Sequence, residues 1–507
     1  MMHLAHLDLE SWICRFICRH KESIQTFGIA FLVNVFVYMQ KLTWHSLAID
    51  DYTRFLGAED QAANQGRWGA NVLNYLFFSG HQHIVPYFNG LIGIFSFTLA
   101  GFITAKIFGV NGRFRTICFT LLCSLSVFIA HNLYYNTNIT VWISVLLCVL
   151  ATYLLLQPGA ISKSGGFLTL VFALGNYQTN LQLYLMLMFS LWLFTLLRET
   201  QPTSGFIATK SVRFLVFFLV GLAAMGINIL INHLWVNAIG TEQFGTFAKA
   251  ANRDLLGDLF TNIGKAYTIN LKIRYFQNAF AIFYFIPIIM LVVLLRKAWQ
   301  IKDRSATLLL ILAVVAYYVV FPLIIALPQL AGFGVLPRVH YTIGWFFAIM
   351  YLFSLVFSHS KTTQSGILLL SFGLLLLSTV YINIYFYAAY RQTQSDIHRV
   401  NNIVTQIRMH ENYTDEEQPL KLMLIGEKEF PVVGWTTRRE ALRWSWSKYQ
   451  AFDYFTDLKF IKMKKTEYEE LRKEFGFSKE NSYNYPAKDS IIMKERNVVV
   501  ILKAEKA

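Results

Sequence analysis

Long apolar segments separated by short polar ones occupy about the first three quarters of the chain. An α-helix needs roughly 20 mostly apolar residues to cross the hydrocarbon core of a bilayer, and about eleven segments approach that length. They lie near residues 24–46, 84–105, 116–133, 139–156, 166–178, 180–197, 213–232, 277–295, 305–327, 340–357 and 365–387. The pattern predicts an α-helical polytopic membrane protein with about eleven transmembrane helices.

The rest of the chain follows a different pattern. "RQTQSDIHRVNNIVTQIRMH" has the spacing of an amphipathic helix, and "PLKLMLIG" and "RNVVVILK" are typical of strands. About 120 residues are enough for a small α/β domain. We therefore predict a transmembrane region over 1–387 and a C-terminal α/β domain over 388–507.

The charge distribution predicts the orientation. The net charge is +15, but the basic residues lie in short loops such as "KIFGVNGRFR" and "RKAWQIKDR", which disfavours nucleic acid as a partner. The alternating loops "HNLYYNTN" and "GNYQTN" contain no Lys or Arg. Basic loops stay in the cytoplasm, so we expect a cytoplasmic N-terminus and, with an odd number of spans, a C-terminus on the opposite, extracytoplasmic side.

An acidic pair follows the first apolar segment. Asp50 and Asp51 are followed by Arg54 and Arg67, which are basic residues on the predicted outer face. Neighbouring side chains point in different directions, so one aspartate would be a general base while the other orients it, holds a cation or caps a helix. The planar guanidinium group of Arg presents a fork of N–H donors that suits a phosphate group. The cluster fits a reaction on a phosphorylated lipid, and the alternative is a plain helix cap.

Two further outer loops carry basic side chains. "LPRVHY" contains Arg338, His340 and Tyr341, and Arg338 is the only charged residue in its loop. We predict phosphate binding for Arg338 and sugar or acceptor binding for His340 and Tyr341, against the alternative of an Arg that extends to the interface. Lys272 and Arg274 in "NLKIRYFQ" would attract the lipid phosphate or lie among headgroups.

A short turn and an amphipathic segment supply polar and aromatic groups. In "GNYQTNL", the phenol of Tyr177 and the amides of Gln178 and Asn180 suit sugar hydroxyls, and the alternative is capping of two helix ends. Trp68 is a further candidate for sugar binding. It begins "WGANVLNYLFF", which we expect to be an interfacial helix with Trp68, Leu73, Leu76 and Phe77 towards lipid.

Three of these motifs, "DDYTRFLG", "NQGRWGANVL" and "GNYQTNL", together resemble the Gtr-type serotype-converting glucosyltransferases of bacteria and their phages. The acidic pair in the first outer loop and the outward C-terminus are similar to the GT-C class of membrane glycosyltransferases. The resemblance implies inverting transfer of a sugar, most simply glucose, from undecaprenyl-phosphate glucose to O-antigen or lipopolysaccharide glycan. The site would lie on the periplasmic face of the bacterial inner membrane, among membrane lipids.

The class often adds a divalent metal, and Asp50 or Asp51 would hold Mg²⁺ or Mn²⁺ here if one is used. A carboxylate base is the central requirement of this interpretation. The alternatives are a flippase or transporter of lipid-linked oligosaccharide and an O-antigen polymerase. The predicted spans contain few ionisable side chains, which disfavours an ion-coupled carrier.

Overall fold

The computed structural model of the 507-residue chain describes most of its helices and one sheet. The described residues are 15, 17–44, 46–48, 51, 67–78, 85–239, 285–330, 337–358, 360–414, 418–425, 442, 448–475 and 490–502. The helices before the sheet are α1 (Lys21–Val37), α2 (Met39–Thr43), α3 (Trp68–Phe78), α4 (Pro86–Ile107), α5 (Arg113–Ser124), α6 (Val127–Leu133), α7 (Ile139–Leu156), α8 (Ala160–Asn176), α9 (Asn180–Arg198), α10 (Ser204–Ile239), α11 (Phe285–Trp299), α12 (Arg304–Leu330), α13 (Ile343–Phe357) and α14 (Lys361–Arg408). The chain is thus mostly helical.

Every apolar segment of the sequence contains a helix. Among the described residues, six helical segments are long and apolar enough to cross a membrane, and α5 with α6 forms a seventh if the bent pair counts as one. The six contain α4, α7, α9, α10, α13 and α14. The helical, apolar character is therefore confirmed, while the count of about eleven spans stays a prediction.

Two predicted spans are broken, and local backbone explains one of the breaks. The segment predicted at 116–133 bends by 57° between α5 and α6. Ser126 is extended there, and its hydroxyl accepts a hydrogen bond from the amide of Phe128 at 3.3 Å, so it caps a new helix. The segment predicted at 24–46 is interrupted at Tyr38, between α1 and α2.

Polar side chains join the apolar helices. The Asn34 amide donates to the hydroxyls of Thr98 at 3.0 Å and Ser124 at 2.8 Å, while the Tyr38 hydroxyl donates to the Ser124 carbonyl at 2.9 Å. These bonds tie α1 to α4 and α5. Such interhelical bonds stabilise a bundle whose apolar surfaces do not themselves distinguish partner from lipid.

A four-stranded sheet follows α14. Its elements are β1 (Leu420–Ile425), α15 (Lys448–Phe455), β2 (Phe460–Lys462), α16 (Lys465–Phe475), β3 (Ile491–Lys494) and β4 (Asn497–Ile501). The strand order is β2-β1-β4-β3, with β1 parallel to β2 and β4 and with β3 antiparallel to β4. We call the described part of 418–502 the sheet unit.

Both faces of the sheet unit are covered. Alternate β4 residues point to opposite faces, with Val498 and Val500 towards the end of α14 and α15, and Val499 and Ile501 towards the side of α16. The helix α14 runs from the bundle to this sheet without interruption, straight through the division predicted between 387 and 388. The domain boundary therefore stays a prediction.

Candidate functional site

The Asp51 carboxylate is fixed at the amino end of a helical segment. Its Oδ2 accepts from the Ala48 amide at 2.8 Å, from the Asn136 amide at 3.3 Å and from the Asn136 side-chain nitrogen at 3.0 Å. Its Oδ1 accepts from the Thr137 amide at 3.1 Å. Asn136 and Thr137 begin the 3₁₀ turn (Asn136–Asn138) that leads into α7, where free amides and the helix dipole favour a negative charge. Asp51 thus caps a helix 85 residues away in sequence.

Lys41 supplies the positive charge of this network. It is fully buried, and its Nζ donates to the Asn136 side-chain oxygen at 2.6 Å. Asn136 therefore bridges Lys41 and Asp51. Burial raises the pKa of the Asp51 carboxyl, and the nearby Lys41 ammonium, followed by the hydrogen bonds from Ala48, Asn136 and Thr137, opposes that rise. The pKa remains above the usual value for aspartate.

This geometry makes Asp51 a positioned carboxylate rather than an accessible one. The side chain is fully buried, and Oδ2 already accepts three hydrogen bonds. A general base has to reach the proton that it removes. Of the roles that the sequence leaves open within the acidic pair, Asp51 has the contacts of the helix cap. Asp50 lies outside the described residues.

The chain around Asn136 also holds Arg338. The Asn132 amide nitrogen donates to the Arg338 carbonyl at 3.0 Å, and the Asn132 oxygen accepts from the Trp142 indole at 2.9 Å. The Arg338 guanidinium carbon lies 4.3 Å from the ring centroid of Tyr135, a cation–π distance. We call residues 132–138 the Asn136 turn. It brings Arg338 together with the acidic loop, as we call residues 46–51, of which the structure describes 46–48 and 51.

Arg67 lies in a second aromatic group nearby. Its guanidinium carbon is 5.2 Å from the ring centroid of Tyr177, and the rings of Tyr177 and Tyr341 are 6.5 Å apart. Because Tyr341 is three residues after Arg338, the 337–341 segment contacts both the Asn136 turn and the turn that carries Tyr177. The structure therefore gathers Asp51, Arg67 and Arg338 at one end of the helical bundle.

The amino-acid sequence matches the model of a known protein family. The family model described as glucosyl transferase GtrII matches residues 40–352. The chain belongs to the GtrII glucosyltransferase family. The resemblance expected from the three sequence motifs is confirmed, and the match includes the acidic loop, the Asn136 turn and Arg338. No curated protein matches the chain.

In this GtrII chain, Asn180 has the capping contacts that the sequence offers as an alternative to sugar binding. Its amide nitrogen donates to the Ser144 hydroxyl at 2.8 Å and to the Ala173 carbonyl near the end of α8 at 3.0 Å. Its oxygen accepts from the Tyr341 hydroxyl at 2.6 Å. Asn180 is fully buried, so these contacts organise the turn. Gln178 in the same turn is half-buried.

Trp68 packs into the GtrII bundle rather than towards lipid. Its indole nitrogen donates to the Asn228 oxygen at 2.8 Å, and its ring packs so closely on α8 that a Cβ at Gly175 would collide with it. Leu73 is buried too, whereas Leu76 and Phe77 are exposed. The expectation that these four residues of α3 all face lipid is therefore wrong for Trp68 and Leu73, because the helix packs against α8 and α10.

The remaining predicted site residues of this GtrII chain divide into two groups. His340 is buried beside Arg338 in the 3₁₀ turn (Pro337–His340). Asp50, Arg54, Lys272 and Arg274 lie outside the described residues, so their roles stay predictions.

The donor set around Asp51 does not fit a divalent metal. A metal ligand needs a free lone pair, and the Asp51 oxygens face four N–H donors and a neighbouring ammonium. Within the described ranges, no group of three or more His, Cys, Asp or Glu side chains could hold a metal ion. The contacts of Asp51 therefore do not suit the metal-binding role that the sequence allows for it.

Proposed function

We propose that this GtrII chain is an inverting transferase that moves glucose from undecaprenyl-phosphate glucose to a hydroxyl of O-antigen or lipopolysaccharide glycan. The family supports the glucosyltransferase activity. The donor, the acceptor and the site on the periplasmic face of the bacterial inner membrane are our proposals. So are the eleven spans, the cytoplasmic N-terminus and the periplasmic C-terminus.

The observation that carries the proposal is that the two uncharged turns, the acidic loop and the 337–341 segment lie together at one end of the bundle. The acidic loop and Arg338 contact the Asn136 turn, while Tyr341 bonds to the turn that begins α9. At the other end, the basic connections approach each other, with the Lys302 amide donating to the Gln201 oxygen at 3.4 Å. The positive-inside bias then supports an outward position for the site.

The proposed reaction is a single displacement. A carboxylate takes the proton of the acceptor hydroxyl while that oxygen attacks the anomeric carbon of glucose. The bond from this carbon to the phosphate oxygen breaks, and undecaprenyl phosphate leaves with the electron pair. Because Asp51 is buried and held by four donors, we assign the base to Asp50 and the orientation of the loop to Asp51.

Fixed cations would stabilise the departing phosphate. Negative charge grows on this group during the reaction, and Arg338 and Arg67 supply guanidinium groups at the same end as the acidic loop. Arg54, Lys272 and Arg274 are further proposed contacts. Trp68, Tyr177, Gln178, Asn180, His340 and Tyr341 shape the adjoining sugar region, with Asn180 and Trp68 acting through the packing of neighbouring groups.

A flippase or transporter is the second proposal because Lys41 and Asp51 form a buried charge pair, a feature common in coupled carriers. A carrier needs such a group to gain and lose its partner during each cycle. The four hydrogen bonds on Asp51 oppose that exchange. The family also favours the transferase over both the carrier and the O-antigen polymerase.

The test is to incubate membranes containing the full chain with synthetic undecaprenyl-phosphate glucose and an O-antigen acceptor. We expect mass analysis of the acceptor to show added hexose that depends on the chain. Undecaprenyl-phosphate galactose serves as the matched donor control and should give little product. Movement of lipid-linked glycan across the membrane without hexose addition would instead support the carrier.

A further inference from the structure

We infer that the sheet unit positions the acidic loop of the proposed transferase site. It does so by enclosing the side chain of Leu47, which belongs to that loop. This inference rests on the proposed function and deepens it. Leu47 precedes the acidic pair by three residues. The sequence predicts only a separate C-terminal domain and places no part of the acidic loop in it.

Leu47 lies in the core of the sheet unit. It is 3% exposed and belongs to the same buried cluster as Val404 of α14, Leu422 of β1, Phe452 of α15 and Val500 of β4. The helical bundle has its own separate cluster, which includes the adjacent Ala48. The acidic loop therefore passes between two hydrophobic cores, with one residue in each.

Hydrogen bonds fix the Leu47 backbone on both sides. Its amide donates to the Thr393 hydroxyl of α14 at 3.0 Å, and its carbonyl accepts from the Tyr134 hydroxyl of the Asn136 turn at 2.6 Å. Thr393 is oriented by donating its own proton to the Ala389 carbonyl at 3.2 Å. Neither backbone group of Leu47 is then available for another conformation of the loop.

Electrostatics place Asp51 close to the sheet unit as well. Tyr454 of α15 packs against the cluster that contains Leu47. The pKa of Tyr454 is raised, first by burial and second by the negative charge of Asp51. Asp51 is thus near enough to α15 for its charge to be felt there.

The consequence for the proposed chemistry is geometric. Leu47 and Ala48 are each packed in a hydrophobic core and Asp51 is held by four hydrogen bonds, so a shift of Leu47 is passed along a short stretch of backbone to the Asp51 network. A displacement of about 1 Å at reacting groups lowers a rate about 100-fold. The sheet unit therefore acts on turnover through the backbone of the acidic loop.

The test compares Leu47→Ala with a matched truncation in the same unit. Leu471 of α16 is also buried, but it lies in the cluster on the opposite face of the sheet. We expect Leu47→Ala to lower kcat about 10- to 100-fold with little change in the KM for the lipid donor. Leu471→Ala should leave kcat within about 3-fold of wild type, and Leu47→Met should recover most of it, since Met fills a similar volume.

The Thr393 contact provides a second pair of variants. Thr393→Val removes the acceptor of the Leu47 amide and should also lower kcat. Thr405→Val is its control because Thr405 is exposed on the same helix and its hydroxyl donates to the Asn401 carbonyl of that helix at 2.8 Å. Full kcat in both Leu47→Ala and Thr393→Val, with an active wild type, would overturn the inference and leave the proposed function intact.

A measurement independent of activity completes the test. Hydrogen exchange of the full chain in detergent should show faster exchange of the Leu47, Ala48 and Asp51 amides in Leu47→Ala than in Leu471→Ala. Equal protection of these amides in the two variants would contradict the inference. If wild type transfers no glucose, the proposed function fails, and this exchange result alone decides whether the sheet unit holds the loop.

Discussion

Two aspartates at opposite ends of the helical bundle show how differently the same side chain is used. Asp303 is only half-buried and caps α12, accepting from the Ser305 amide at 2.9 Å and the Ala306 amide at 3.3 Å. The Ser305 hydroxyl and these amides lower the pKa of its carboxyl. Asp51 also accepts amides at a helix start, but it is fully buried and its pKa is raised.

The two aspartates show which end of the bundle has a fixed geometry. A capping carboxylate that keeps contact with water, such as Asp303, exchanges some water for amides and needs no counter-charge. A buried carboxylate needs several donors and a counter-charge to offset lost hydration, and Asp51 has both in Asn136 and Lys41. The end that carries the acidic loop is therefore rigidly organised around a charge, whereas the basic end has a simple solvated cap.

The largest effect is expected on breaking the buried charge pair. Lys41→Met leaves Asp51 buried without its nearby ammonium and should lower the free energy of unfolding by about 3–5 kcal/mol. Lys106→Met is the matched control because Lys106 lies at the basic end, where it contacts the Ser23 hydroxyl at 3.3 Å. Thermal unfolding in detergent measures both.

A double variant sharpens this prediction. Lys41→Met combined with Asp51→Asn removes both charges and should recover part of the loss, because the amide keeps an acceptor for the surrounding donors. Equal unfolding midpoints for Lys41→Met and Lys106→Met would contradict the buried charge pair.

The next effect concerns two of the guanidinium groups that stack on aromatic rings, one at each end of the bundle. Arg338 lies 4.3 Å from the Tyr135 ring centroid at the acidic-loop end, and Arg213 lies 5.8 Å from the Phe217 ring centroid near the basic end. Arg338→Ala should raise the KM for the lipid donor about 10- to 100-fold, the value of a lost hydrogen bond to a charged group.

Arg213→Ala is the control for Arg338→Ala, with an expected change of less than about 3-fold in the KM for the donor. A donor titration in membranes measures both variants, and detergent unfolding midpoints show whether either one is simply destabilised. Identical donor titrations for wild type and Arg338→Ala would remove this arginine from the proposed phosphate site.

The smallest effect is the opposite pH dependence of the two aspartates. The folded-state pKa of Asp51 is raised above 3.8, so its contribution to stability is present below that pH and is lost as pH rises through the folded pKa. The folded-state pKa of Asp303 is lowered, so its contribution is present above 3.8 and is lost as pH falls through the folded pKa.

Thermal unfolding midpoints of wild type, Asp51→Asn and Asp303→Asn, measured at pH values on both sides of 3.8, give the sign of each pH dependence. Compared with Asp51→Asn, wild type should lose stability as the pH rises. Compared with Asp303→Asn, wild type should lose stability as the pH falls. The same sign at both positions would contradict the contrast between the fully buried Asp51 and the half-buried Asp303.

Much of the bundle is predictable from sequence because hydropathy depends on local composition. The apolar run at 139–156 matches the bounds of α7, and the polar turn around Tyr177 does separate α8 from α9. Charge alternation also predicts that the uncharged turns share one end, and both of them contact the 337–341 segment there.

The network around Asp51 is not predictable in the same way. Lys41 falls inside a segment predicted to span the membrane, and its partner Asn136 is 95 positions away. The three Asn residues in "HNLYYNTN" are the one local signal, because amides beside apolar helices need partners. Leu47 gives no signal, since one apolar residue in a polar loop does not indicate which core receives it.

The most direct test of the account measures transfer of hexose from synthetic undecaprenyl-phosphate glucose by membranes containing Asp50→Asn, Asp51→Asn or Asp303→Asn at equal protein levels. We predict that Asp50→Asn reduces turnover about 10²- to 10⁴-fold, the usual contribution of a general base, that Asp51→Asn reduces it less, and that Asp303→Asn retains it. Full turnover in both Asp50→Asn and Asp51→Asn would contradict the claim that the acidic pair performs the chemistry.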